Sequence, residues 1–219
     1  MPIYAPTNGP ADWQALLADP DKHWRTGFSA RSLAYAWESA KGLPPEIERF
    51  FGMGTSLLIG IPEHKVDLPG GTRPSQTDLF ALLRCDSKTI ACAVEGKVDE
   101  AFGPSLAEWL ENASEGKVRR LTFICELLGL RLPLPPATRY QLLHRAASAV
   151  IEAQKFKTDE AAMIVHSFSQ KGSWFHDYEF FMQLFGKQVV KECPAEIQLP
   201  MGMVMQLGWV QGDLKFLSF

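Results

Sequence analysis

The sequence predicts an α/β domain with a mixed central sheet and helices on its faces. Three observations carry this. Two apolar segments, TDLFALLR and TIACAVEGKV, are separated by the short turn Cys85-Asp86-Ser87-Lys88, which makes an antiparallel hairpin. Amphipathic helical patterns stand before the hairpin, at SARSLAYAWESAKG, and after it, at RYQLLHRAASAVIEA. A further apolar strand, AAMIVHSF, follows the second helix. The order helix, strand, strand, strand, helix, strand packs as a sheet between helical layers.

The 219 residues (24.4 kDa) suit one domain spanning 1–219. Within it, 1–28 reads as an N-terminal arm, 104–131 as a helical insertion and 170–219 as a C-terminal extension. Apolar residues at 46% and charged residues at 21% exclude whole-chain disorder. A net charge of -3 and a pI near 6.0 exclude a polybasic protein that binds nucleic acid through bulk charge.

Each element has its own signal. The arm is rich in Pro, Trp and Asp, with a short helix near Asp12–Leu17. In the first helix Ser29 is a capping residue and Gly42 a stop. Leu33, Ala36, Trp37 and Ala40 make one buried face, and Arg31, Tyr35 and Glu38 lie off it. A short second helix is expected near Glu46–Phe51. Ser56–Ile61 is a strand, followed by a loop, EHKVDLPGGTRPSQ, read from its Pro, Gly and Ser content. Pro104–Glu115 and Lys117–Leu130 are helices split by Gly116, and Arg139–Phe156 is one long helix. Trp174–Phe185 is helical, with an aromatic stripe that packs as core. The end, MVMQLGWV-QGD-LKFLSF, reads as a C-terminal hairpin.

The four cysteines form no C-x-x-C pair, so the expectation is reduced, mostly buried thiols and a cytoplasmic setting. The N-terminus has no signal-peptide pattern, and no apolar run approaches the roughly 20 residues of a membrane span. Walker, Rossmann and H-E-x-x-H motifs are absent. Ser167 beside His166 lacks the G-x-S-x-G setting of a nucleophilic serine.

The stretch Asp78–Lys97 carries the chemistry. If Arg84 opposes Thr89 in the hairpin, Asp78 falls opposite Glu95, and Lys97 points to the same face as Glu95. Two close carboxylates repel unless a cation lies between them, and Mg²⁺ prefers oxygen ligands in octahedral geometry. The Gly96 carbonyl is a further candidate ligand. Lys97 is placed to orient water or to neutralise charge on a phosphate. The same spacing also describes a solvated ion pair at a strand end, which contributes little.

Asp78 followed by Glu95-Gly96-Lys97 resembles the PD-(D/E)XK motif of the restriction-endonuclease-like nuclease superfamily, although Thr77 replaces the motif proline. The phrases PSQTDLFALLR and VEGKVDEAFGP resemble a bacterial branch of it. The resemblance implies a restriction-endonuclease-like α-β-β-β-α-β core over about 29–168. It implies Asp78 and Glu95 as metal carboxylates and Lys97 as the motif lysine. A carboxylate from the first core helix, for which Glu38 is the candidate, is implied too. It also places a glutamine on the later helix beside the lysine, and Gln141 matches that position.

On that later helix Gln141, Arg145, Ser148 and Glu152 recur as one polar stripe. It reads as a wet face on which Arg145 and His144 can meet a phosphate. The expected activity is Mg²⁺- or Mn²⁺-dependent hydrolysis of phosphodiester bonds in DNA. The alternative is a non-catalytic binding or scaffold protein that keeps the nuclease fold.

Overall fold

The structure is a computed structural model, and it describes residues 7–219. Expectations for residues 1–6 of the arm lie outside the described residues. The sheet has six strands in the order β1-β2-β3-β4-β6-β5, an open mixed α/β arrangement. They are β1 (Ser56–Val66), β2 (Ser75–Cys85), β3 (Lys88–Lys97), β4 (Glu160–Ser167), β5 (Ala195–Gln198) and β6 (Val204–Gln211). The helices are α1 (Pro20–His23), α2 (Ser29–Ser39), α3 (Pro45–Phe51), α4 (Leu106–Leu110), α5 (Glu115–Leu128), α6 (Tyr140–Phe156) and α7 (Phe175–Gln183). Short 3-10 turns cover Pro10–Leu16 and Leu214–Ser218.

The two central strands explain the layering. β3 pairs antiparallel with β2 and parallel with β4, and Arg84 does oppose Thr89. Ile90, Cys92 and Val94 point to the face covered by α2 and α3. Ala91 and Ala93 point to the other face, with Ala146, Ala147, Ala149 and Ala153 of α6 in the same core. Alanines on both sides let the helix lie close to the sheet, and Phe80, Leu142, Leu143 and Trp209 fill the remaining space. When β3 reaches its carboxyl end, the α6 side of the strand changes from alanine to Glu95 and Lys97. There polar groups replace packing atoms between helix and sheet.

Several expectations are corrected. β1 does not stop at Ile61. It runs on to Val66, and β2 begins at Ser75, so both ends of the supposed loop are strand. Proline is tolerated at Pro62 because β1 is an edge strand. Gly116 does not split two helices. It lies in the first turn of α5, where its Cα meets the backbone of Gly70 too closely for a side chain. Phe28, not Ser29, is the cap residue of α2, and the Ser29 N–H donates to the Glu100 carboxylate at 2.8 Å.

The C-terminal hairpin is not formed as expected. β6 pairs parallel with β4 and antiparallel with the preceding β5. After Gln211 the chain enters a 3-10 turn, because Phe216 turns inward and packs edge-on against Phe168. The helical insertion is present as α4 and α5. Among the described residues no helix is long and apolar enough to cross a membrane.

Candidate functional site

The site lies at the carboxyl end of β3, in a cleft of about 460 Å³. Asp78, Glu95, Lys97, Gln141, His144 and Arg145 all line it, so the structure brings together six of the residues singled out from sequence. Its rim is formed by Leu17 and His23 of the N-terminal arm and by Gly103 and Pro104 on the other side.

Asp78 stands where β2 and β3 separate. Their ladder ends at the Leu79–Val94 pair, and one step on, the Asp78 Oδ2 accepts the Gly96 N–H at 2.9 Å. The amide of Gly96 therefore orients this carboxylate. A Cβ at Gly96 would touch Leu33 and the Ser29 carbonyl at 3.4 Å, which shows that this residue faces α2.

Glu95 is 2% exposed and is held by three donors. Its Oε1 accepts from Lys97 Nζ at 2.7 Å and from Gln141 Nε2 at 2.6 Å, and its Oε2 accepts from Arg145 Nε at 2.5 Å. Burial alone opposes ionisation of Glu95, but the charges of Arg145 and Lys97 outweigh it and lower the pKa to about 2. Lys97 also lies 4.8 Å from the centre of the Phe102 ring. Asp78 has the opposite balance. Burial and then the negative charge of Glu95 raise it to about 7, although Arg145 lies 3.7 Å from its Oδ1.

The polar stripe of α6 is not wet. Arg145, Ser148 and Glu152 are all buried against the sheet. Arg145 points at Glu95 and Asp78, and its Nη1 donates to Ser75 Oγ at 3.2 Å. His144 Nδ1 lies 2.8 Å from the same Ser75 hydroxyl. Burial and the neighbouring guanidinium push the His144 pKa well below its ordinary value, so a neutral imidazole lines the cleft. Both side chains therefore line the cleft and do not form an open solvent-facing stripe.

Glu38 is elsewhere. It lies ten residues along α2 from its cap, buried at 5%, and accepts from the Trp13 indole N–H at 2.8 Å. It anchors the N-terminal arm and does not line the cleft, so it is no partner for Asp78.

The carboxylate that sequence reading missed is Glu63. The pairs Pro62–Leu79 and His64–Thr77 set Glu63 across from Asp78 on the far side of β2 from Glu95. Its Oε2 accepts from Gln76 Nε2 at 2.6 Å. Burial, followed by the charge of Asp78, raises its pKa to about 8. The signal was available in His64 and Val66, which continue the strand beyond Pro62.

The cluster holds three carboxylates against two cations, Lys97 and Arg145, and burial, followed by repulsion between the acids, raises the pKa of Asp78 and of Glu63. Among the described residues no group of three or more His, Cys, Asp or Glu is arranged to hold a metal ion by itself. Mg²⁺ does not need one. It keeps several waters and is commonly bound by one or two carboxylates together with substrate phosphates. An all-oxygen donor set with excess negative charge fits such an ion.

The family model described as Domain of unknown function (DUF6946) matches residues 6–214, and the chain belongs to that family. Neither a curated protein nor a solved structure matches the chain.

Proposed function

We propose that this member of the DUF6946 family is a metal-dependent nuclease of restriction-endonuclease-like architecture, hydrolysing phosphodiester bonds in DNA with Mg²⁺ or Mn²⁺. The observation that carries the reading is the convergence of Asp78, Glu95, Lys97 and Gln141 in one cleft at the carboxyl end of β3. Residues from β2, β3 and α6 meet at one end of the sheet, and the order α2, β1, β2, β3, α6, β4, with α3 inserted before β1 and α4 and α5 before α6, is compatible with the core the resemblance implies.

The roles follow from the geometry. Asp78, fixed by the Gly96 amide, presents its second oxygen toward the cleft as a cation ligand. Glu95 supplies negative charge and holds Lys97 by an ion pair at 2.7 Å. Lys97 orients the attacking water and neutralises charge that develops on the phosphate. Gln141 fixes the Glu95 oxygen that Lys97 also uses, and so keeps the ammonium in place. A bound divalent ion would lower the pKa of its water and stabilise the developing phosphorane charge.

A second reading has its own support. Every oxygen of Glu95 is already engaged by protein donors, which is the state expected of a fold that binds without catalysis. One experiment separates the two. The purified chain is incubated with single- and double-stranded DNA and RNA in Mn²⁺ or Mg²⁺. Cleavage that EDTA abolishes is expected. Binding of metal without cleavage of any of these substrates would favour the scaffold reading.

A further inference from the structure

Resting on the metal-dependent reading above, we propose that the cation is held between Glu63 and Asp78, while Glu95 acts as the fixed counter-charge for Lys97 and Arg145. This changes which pair of carboxylates coordinates the ion, and it adds a residue from β1 to the site.

The first observation is the set of oxygens already engaged. An ionised carboxylate offers about four acceptor positions. Glu95 fills three of them with Lys97, Gln141 and Arg145, and its side chain is 2% exposed. A cation approaching Glu95 must displace a buried lysine, a buried arginine or both. Removing one partner from a buried ion pair leaves an uncompensated buried charge and is strongly unfavourable.

Asp78 and Glu63 are arranged differently. In each, one oxygen is fixed and the other accepts no hydrogen bond among the described residues. Asp78 Oδ2 is bound by the Gly96 amide, and its Oδ1 faces the Arg145 guanidinium at 3.7 Å, beyond hydrogen-bond length. Glu63 Oε2 is bound by Gln76, and Oε1 has no donor among the described residues. Asp78 is also more open than Glu95, with 22% of its side chain exposed against 2%.

The second observation is position. Glu63, whose backbone is left-handed with φ of 52°, lies between the pairs Pro62–Leu79 and His64–Thr77, and it lines the cleft together with Asp78 and Gln76. Two carboxylates that converge on one cleft can each ligate an ion at about 2.1 Å, with waters and a phosphate completing the shell. Gln76 is then a positioning residue, because it turns the Glu63 carboxylate toward Asp78.

The test is calorimetric titration of Mn²⁺ into the full-length chain at fixed pH. Wild type should bind. D78N and E63Q should each weaken binding at least tenfold, and E95Q should weaken it less than E63Q does. E63D, which keeps the charge, should bind more tightly than E63Q. If D78N loses binding while E63Q binds as wild type does, the role of Glu63 is overturned and the metal-dependent reading stands. If wild type takes up no Mn²⁺, or D78N binds as wild type does, that reading fails and this inference falls with it. Should E63Q fail to fold by circular dichroism, paramagnetic broadening in the wild type decides. The Glu63 and Asp78 carboxyl signals should broaden ahead of Glu95 on adding Mn²⁺, and broadening of Glu95 ahead of Glu63 would overturn the assignment.

Discussion

Arg145 illustrates how a single side chain changes meaning once its surroundings are known. In sequence it lies on a polar stripe, where truncation should matter little to stability. In the fold it is 6% exposed, donates to Glu95 and Ser75, and faces Asp78. Arg145→Ala should therefore lower stability by about 3–5 kcal/mol, because Glu95 is left buried with Lys97 as its remaining cation. Gln141 is half-buried and neutral, so Gln141→Ala should cost about 1 kcal/mol, the net worth of one hydrogen bond. Urea unfolding of the two variants checks the contrast, and equal losses would show that the Arg145 pairing contributes nothing special. Asp78, Glu95 and Lys97 were legible because strand alternation and hairpin register place side chains without knowledge of the rest of the fold. Glu63 was not, because Pro62 and the later Pro and Gly residues suggested a loop. Its backbone is also locally left-handed, with φ of 52°, which interrupts the strand pattern.

At the scale of elements, β3, β4 and α6 were readable because each carries a long, unbroken apolar pattern. The polar side of α6 misled for a physical reason. A helix that packs over the end of a sheet can bury Gln and Arg when the strands below supply partners, here Glu95 and Ser75, while Ser148 donates to the His144 carbonyl of its own helix at 2.7 Å. The C-terminal strand was legible but its partner was not, since a parallel neighbour leaves no local turn signal. On the opposite face of the sheet, α2, α3 and β4 are joined by a second buried network. The Trp37 indole N–H donates to His166 Nδ1 at 3.2 Å, so Nε2 of the ring carries the proton and donates to Glu46 Oε1 at 3.0 Å. Burial disfavours the Glu46 carboxylate, but the hydrogen bond from His166 outweighs it and lowers its pKa. A lowered carboxylate pKa contributes stability that is present above the unfolded value, near 4.5, and is lost as pH falls through the folded one. Melting temperatures from pH 7 down to pH 3.5 should thus fall less steeply in Glu46→Gln than in wild type. Parallel curves would mean that Glu46 gains nothing from the contact.

At the scale of the molecule, the sheet separates two tasks. The face under α2 and α3 is an apolar core closed by Trp37, Phe50 and Phe168. The face under α6 is apolar along most of its length, apart from the His64–Glu152 pair, and turns polar at the carboxyl ends of the central strands, a position at which open α/β sheets commonly bind ligands. The N-terminal arm joins these tasks. Trp13 seals the α2 side while Leu17 and His23 reach the rim of the cleft. The proposed function requires this rim to enclose a hydrolytic site whose lysine acts on the reaction and not on metal binding. Single-turnover cleavage of end-labelled DNA at saturating Mn²⁺ tests it most directly, with wild type and Lys97→Ala compared after calorimetry has shown metal bound to both. An ammonium is no metal ligand, so the variant should keep its Mn²⁺ affinity within a few-fold, and its cleavage rate should fall by about 10²-fold or more, the scale of removing one transition-state charge contact. Cleavage by Lys97→Ala as fast as by wild type would contradict the assignment of the site.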